Sequence, residues 1–159
     1  MADGLSNRVV EQIVMGTILA DPKAAHMAQV LDTYDFDDPH HQMIWGVMSP
    51  ILVDGRHPSP IIIGRQLEAD KIEGGTGTLR DYIKDIAARK AVSRDQLPEY
   101  IREIKVLRAR RMMSSLGVQM SDVAAESSMD VLAFLDQARE QIEAACFGVR
   151  RNQITARTF

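Results

Sequence analysis

The sequence predicts an all-α fold, a compact bundle of short helices followed by a long projecting helical hairpin. Three observations lead there. Apolar residues recur at the helical period along most of the chain, strand signals are nearly absent, and no proline follows Pro98. With 45% hydrophobic and 26% charged residues among 159, the composition supports a buried core and argues against wholesale disorder.

The elements follow in order. Val10, Ile13, Val14, Thr17 and Ile18 share one face of a first helix, from about Asn7 to Ala20. Asp21-Pro22 reads as an N-cap followed by proline at the first helical position, opening a short second helix to about Asp32. Pro39 opens a third, whose broad apolar face is Met43, Ile44, Val47, Met48, Ile51 and Leu52. Pro50 inside it lacks an N–H, so it should kink the helix or remove one hydrogen bond. Asp54-Gly55 supplies the stop.

Ser59-Pro60 repeats the cap signature, so Ile61-Ile62-Ile63 is read as the first turn of a helix ending near Asp70. Three consecutive isoleucines would also suit a buried strand. After a loop at Gly74-Gly75-Thr76-Gly77, Leu79, Tyr82, Ile83 and Ile86 mark a fifth short helix.

From about Arg94 the pattern changes. Leu97, Ile101, Ile104, Leu107, Met112, Met113, Leu116, Met120 and Val123 imply a helix of about 30 residues, about 45 Å long. Ser127-Ser128 breaks it, and Val131, Leu135, Ala138, Ile142 and Ala145 follow at a/d-like spacing. The chain thus divides into a helical head at 7–92, a hairpin at 93–148, and a polar, Arg-rich stretch at 149–159 that reads as the start of a flexible linker. An isolated hairpin buries only its inner seam. Apolar residues left outside, including Met113, Leu132 and Phe134, need another surface. Self-association would provide it; alternatively, the head folds back over the hairpin and covers them.

Composition also narrows the function classes. The net charge of −3 does not favour nucleic acid as the main direct partner. The single cysteine, Cys146, excludes an internal disulfide or a Cys-rich metal site and fits a reducing compartment. There is neither a long apolar span nor a secretory signal, so a cytoplasmic protein without a membrane partner is expected.

No catalytic constellation stands out. The Glu73–Thr78 glycine-rich segment lacks the Lys and the preceding strand of a phosphate-binding loop, and reads as an inter-helix turn. His40 and His41 are adjacent, so on a helix they point about 100° apart and do not form a ligand pair. Asp37 and Asp38, before Pro39, are better placed as caps. His26 and His57 read as surface or loop residues. Cys146, in an apolar helix context, packs as a small hydrophobe, and the acidic residues are read as scattered over solvated helical positions. No metal or cofactor is expected in this chain.

The basic run Arg102, Lys105, Arg108, Arg110 and Arg111 is denser. It either contacts a phosphate backbone or an acidic partner, or forms a solvated stripe offset by Glu99 and Glu103. Among the nine methionines, Met112, Met113 and Met120 cluster on the long helix, where they serve either the core or an adaptable surface.

Three segments together resemble a known family. They are Glu11-Gln12-Ile13-Val14-Met15-Gly16-Thr17-Ile18-Leu19, then Asp35-Phe36-Asp37-Asp38-Pro39-His40-His41-Gln42-Met43-Ile44-Trp45, and then Tyr100-Ile101-Arg102-Glu103-Ile104 with Leu107 and Arg110-Arg111. In order and spacing, across about 8–148, the chain resembles the N-terminal domain of bacterial replicative DNA helicases of the DnaB type. One departure is Asn7-Arg8-Val9-Val10, where the family often carries an acidic residue.

The resemblance implies a helical head and hairpin, hairpins that pair, and three such dimers forming a collar on a hexameric ring. It also implies docking of primase or a helicase loader, with DNA contacted mainly through the parent protein. ATP and magnesium would be used only by a separate motor domain, whose Walker motif this chain lacks. The expected function is therefore a non-catalytic assembly and docking domain of an ATP-dependent helicase, the chain being a fragment of it. The expected pairing surface is Met113, Leu116, Met120, Val131, Leu135 and Ile142; Arg102, Lys105, Arg108 and Arg111 are the candidate partner or nucleic-acid contacts. The alternatives are a stand-alone regulator that binds a helicase ring, and a single-strand DNA-binding module. With 5% aromatic residues, stacking platforms for the latter are sparse.

Overall fold

Asn7 opens the first helix by accepting a hydrogen bond from the Val10 N–H at 3.2 Å, satisfying one of the donors that a helix start leaves unpaired. The structure, a computed structural model, describes residues 7–67 and 77–157, with side chains as far as Arg150. Helix α1 (Arg8–Ala20) buries Val10, Val14, Met15, Ile18 and Leu19. Its Thr17 hydroxyl donates to the Ile13 carbonyl at 2.7 Å and accepts from the Val92 N–H at 3.0 Å, so this buried polar group is satisfied.

Asp21 accepts from the Lys23 N–H at 2.9 Å, and Pro22 follows, as the sequence implied. The segment that it opens, Pro22–Val30, is a 3-10 helix, tighter than the expected α-helix. Its far end is closed by the Leu31 N–H on the Ala28 carbonyl, and its nine residues are long for a winding that seldom runs beyond about three or four. A second 3-10 turn, Thr33–Asp35, was not apparent in the sequence. A capping box holds it: Asp32 accepts from the Tyr34 N–H, and Asp35 from the Asp32 N–H.

Helix α2 (Pro39–Val53) starts on Asp38, which accepts from the His40 N–H at 2.8 Å, and continues through Pro50. It ends at Gly55, whose φ of 71° is the left-handed conformation that glycine adopts without steric cost. The Arg56 N–H reaches the Ile51 carbonyl and the Gly55 N–H the Leu52 carbonyl, both at 3.0 Å, a Schellman stop.

Helix α3 (Pro60–Gln66), capped by Ser59, settles the isoleucine run as helical, with Ile63 buried and Ile61 and Ile62 exposed. Its expected continuation toward Asp70, and the glycine-rich turn at 73–76, lie outside the described residues. Helix α4 (Leu79–Arg89) buries Leu79, Ile83 and Ile86. It passes close to α1 at Gly16, where a Cβ would stand 2.4 Å from the Ile86 carbonyl oxygen.

Helix α5 (Leu97–Ala125) begins inside the head. Leu97, Ile101 and Ile104 join the core formed by α1 to α4, which includes Met15, Phe36, Trp45 and Met48, so the core extends past the expected boundary at 92/93. Helix α6 (Val131–Arg157) returns along α5 as the second arm of a hairpin. The chain is all-α as expected, with no strand element among the described residues.

Two details of the hairpin differ from the sequence reading. Helix α6 runs through Gly148 to Arg157, across most of the stretch read as a linker. A single helical glycine costs only about 1 kcal/mol, and no proline follows to stop the helix. The a/d-like series of α6 is also split between seam and surface. Ala138 is buried, Phe134, Gln141 and Ala145 are half-buried, and Leu135 and Ile142 are exposed.

Candidate functional site

The hairpin carries large apolar side chains on its outside, among polar ones. Its inner seam buries Leu116 and Val123 of α5 against Ala138 of α6. Met113, Met120, Val131, Leu135 and Ile142, five of the six expected pairing residues, are exposed by between 46% and 58%. Leu116, the sixth, is only 5% exposed and belongs to the seam, so it is corrected to a core position. Leu132, at 75%, lies outward with them, whereas Phe134 is half-buried. The head does not fold back over these side chains. Cys146 is likewise exposed, where the sequence suggested a packed thiol.

The basic stripe turns toward the head. Lys105, 8% exposed, places its ammonium 2.6 Å from Asp35, which is 1% exposed. Nη1 of Arg108 bridges Asp32 and Asp35, the latter at 3.2 Å. Arg111 donates to the Asp35 carbonyl at 2.9 Å and lies 3.6 Å from the Asp37 carboxylate. The capping box of the Thr33–Asp35 turn therefore also anchors α5. Arg102 lies apart from these three, exposed beside Glu99, Tyr100 and Glu103.

Of the run read either as a contact for phosphate or an acidic partner or as a solvated stripe offset by Glu99 and Glu103, Lys105, Arg108 and Arg111 form a junction with the chain's own carboxylates at 32, 35 and 37. Partial burial would raise the Asp32 carboxyl, but the hydrogen bond and charge of Arg108 outweigh it and hold the group below the ordinary carboxylate range. Burial would likewise lower the Arg108 guanidinium, and its bond to Asp32 shifts it upward instead.

A second polar cluster was missed because its members look unremarkable in sequence. Glu11 is 2% exposed and accepts from the Asp37 N–H at 2.7 Å and the Asp38 N–H at 3.3 Å, and its carboxylate lies 2.6 Å from His41 Nδ1. His41 Nε2 in turn meets the Tyr82 hydroxyl at 2.7 Å, to which Gln12 also donates. Burial pushes the Tyr82 hydroxyl up from its ordinary value. The cluster joins α1, α2 and α4 at the point where the chain enters α2. Glu11 and Asp35 correct the view that the carboxylates are all solvated. A buried acid inside an otherwise apolar helical face was the only available signal.

Glu11, His41, Tyr82 and Gln12 thus satisfy one another through hydrogen bonds across three helices. Among the described residues, no set of three or more His, Cys, Asp or Glu side chains is placed to hold a metal ion. No described helix is long and apolar enough to cross a membrane.

Comparison with known proteins agrees with this architecture. The family model described as "DnaB-like helicase N terminal domain" matches residues 5–106. Among solved structures, the chain is similar to the crystal structure of the N-terminal domain of DnaB helicase from Mycobacterium tuberculosis, with a TM-score of 0.69. That match covers 87% of this chain and 97% of the other at 18% sequence identity, a likeness of fold. No curated protein matches the chain.

Proposed function

Because the chain belongs to the DnaB-like helicase N-terminal domain family, we propose that it works by binding alone, as an assembly and docking domain. Its hairpin pairs with that of a second copy, such dimers build a collar, and the collar offers a platform to primase or a helicase loader. ATP and magnesium serve a motor domain in the parent helicase, in the cytoplasm, and DNA is contacted mainly there.

One observation carries the reading. Beyond the head, the hairpin buries little of its apolar surface in its own seam and exposes Met113, Met120, Val131, Leu132, Leu135 and Ile142. The stretch that carries them, 113–125 with 131–142, is about 20 Å long, so a face two helices wide offers about 400 Å². That is about half of what each partner contributes to a standard interface, so pairing draws on adjoining surface as well. The internal pairing of Lys105, Arg108 and Arg111 weighs against a single-strand DNA-binding module.

Static light scattering at high micromolar concentration tests the pairing. A dimer is expected, shifted toward monomer by Leu135→Asp with an unchanged far-UV circular dichroism spectrum. A strict monomer, indifferent to Leu135→Asp, would remove the reading.

A further inference from the structure

An open cleft of about 780 Å³ lies where the head meets the base of the hairpin, away from the outward residues assigned to pairing. Val30 and Tyr34 line it from the head, Arg108 and Met112 from α5, and Ala145 and Phe147 from α6. Its surface is mostly apolar. Tyr34 and Phe147, one from each wall, are 75% and 66% exposed. Exposed aromatic side chains beside a small-residue floor are what protein partners use as anchors.

Arg108 adds a polar specification. Both of its carboxylate contacts, to Asp32 and Asp35, are made by Nη1. The Nε and Nη2 donors, which form the side-on edge of the guanidinium, take no hydrogen bond among the described residues. The side chain is 38% exposed. That edge matches a carboxylate through two parallel hydrogen bonds. The cleft lining includes the cations Lys105, Arg108 and Arg111 and one carboxylate, Asp32; Asp35 and Asp37, which pair with Lys105 and Arg111, are not part of it.

We propose that this cleft is a docking site for an amphipathic helix of a partner protein, with its apolar face between Tyr34 and Phe147 and a Glu or Asp on the side-on edge of Arg108. The groove is bounded by helical elements and suits a helix laid into it by i, i+3, i+4, i+7 anchors. The proposal rests on the docking half of the function above and is independent of hairpin pairing.

Fluorescence anisotropy tests it with a labelled helical peptide of about 18 residues, Leu at the anchor positions and Glu beside them. The Lys-for-Glu peptide and a single-stranded oligothymidine serve as comparisons. The Glu peptide should bind at least about tenfold more tightly than the Lys peptide. Arg108→Lys keeps a cation for Asp32 and Asp35 but loses the fork, and should weaken the Glu peptide about fivefold or more. Phe147→Ser should weaken both peptides, and Leu132→Ser neither.

Absent or charge-blind peptide binding would overturn the proposal, as would affinity unchanged by Arg108→Lys and Phe147→Ser. Oligothymidine that displaces the peptide would make the cleft a nucleic-acid site instead. Loss of self-association in Phe147→Ser would make it a contact between copies. Peptide binding by a chain that stays monomeric would support the cleft while removing the pairing; a dimer without peptide binding would do the reverse.

Discussion

Replacing Asp35 by alanine should destabilise the chain more than most surface or loop changes, although the residue sits in a three-residue turn. Its carboxylate accepts from the Asp32 N–H at 2.7 Å, from Lys105 at 2.6 Å and from Arg108 at 3.2 Å. Without it, the Lys105 ammonium, whose side chain is 9% exposed, is left nearly buried with no counter-charge. Removing one partner of a buried ion pair costs about 3–5 kcal/mol. The lost acceptor for the Asp32 N–H adds about 1 kcal/mol. The lysine stem borders an open cleft and can bring its head to water, which places the total near the lower end, about 3 kcal/mol. Against a domain stability of about 5–15 kcal/mol this is a large fraction. Urea unfolding at neutral pH, followed by circular dichroism, measures it. Because Lys105→Met removes the orphaned charge, the double variant should recover about 1–2 kcal/mol relative to Asp35→Ala. A loss below about 1 kcal/mol, or strict additivity in the cycle, would refute the buried-charge reasoning.

Three further outcomes are expected. Gly16→Ala places a methyl against the Ile86 carbonyl and should cost about 1–3 kcal/mol, seen as a lower melting temperature without loss of helix at low temperature. Leu116→Asp should unfold or severely destabilise the chain through the seam, since it puts a charge at a 5%-exposed site; a merely monomeric but stable variant would contradict the seam assignment. Asp32 and Asp38 both titrate below their ordinary range in the folded chain. Their contribution to stability is therefore present above an unfolded value of about 3.9 and lost as pH falls through the folded one. Thermal melts between neutral pH and about pH 2 should decline steeply below about pH 4, and less steeply in Asp32→Asn.

Much of the fold could be read from the sequence because its punctuation is local. Asp21-Pro22, Asp38-Pro39 and Ser59-Pro60 each act as a cap followed by proline, and Asp54-Gly55 acts as a stop. These signals depend on hydrogen bonds within a few residues. The phase of α6 was less legible because Val131, Leu135, Ala138, Ile142 and Ala145 satisfy a helical period as well as the observed seam does. Which stripe faces inward depends on α5, whose small Gly117 and polar Gln119 leave no dominant face. The basic stripe could not be placed for a related reason. Its partners Asp32, Asp35 and Asp37 lie about 70 residues earlier in the chain, and only the tertiary fold brings them together. Glu11 was hidden likewise, since two of its donors are the backbone N–H groups of Asp37 and Asp38, which have no side-chain signature, and its side-chain partner His41 lies 30 residues on.

The placement of charge and grease along α5 separates two tasks. Near the head, Lys105, Arg108 and Arg111 engage the carboxylates at 32, 35 and 37, with two of the groups, Lys105 and Asp35, withdrawn from water. That arrangement fixes the direction in which the hairpin leaves the head, because rotating α5 by one residue, about 100°, would break every one of these contacts. Farther out, the exposed side chains are chiefly Met113, Val118 and Met120, together with Val131, Leu132, Leu135 and Ile142 on the returning helix. An arm held rigidly at its base and apolar at its far end presents its surface at a defined angle, which a closed ring assembly demands and a flexible tether would not supply. The same bracing withdraws much of the basic surface from bulk solvent, where a phosphate backbone would need it. These features support the proposal that the arm meets protein, at a place set by its attachment to the head.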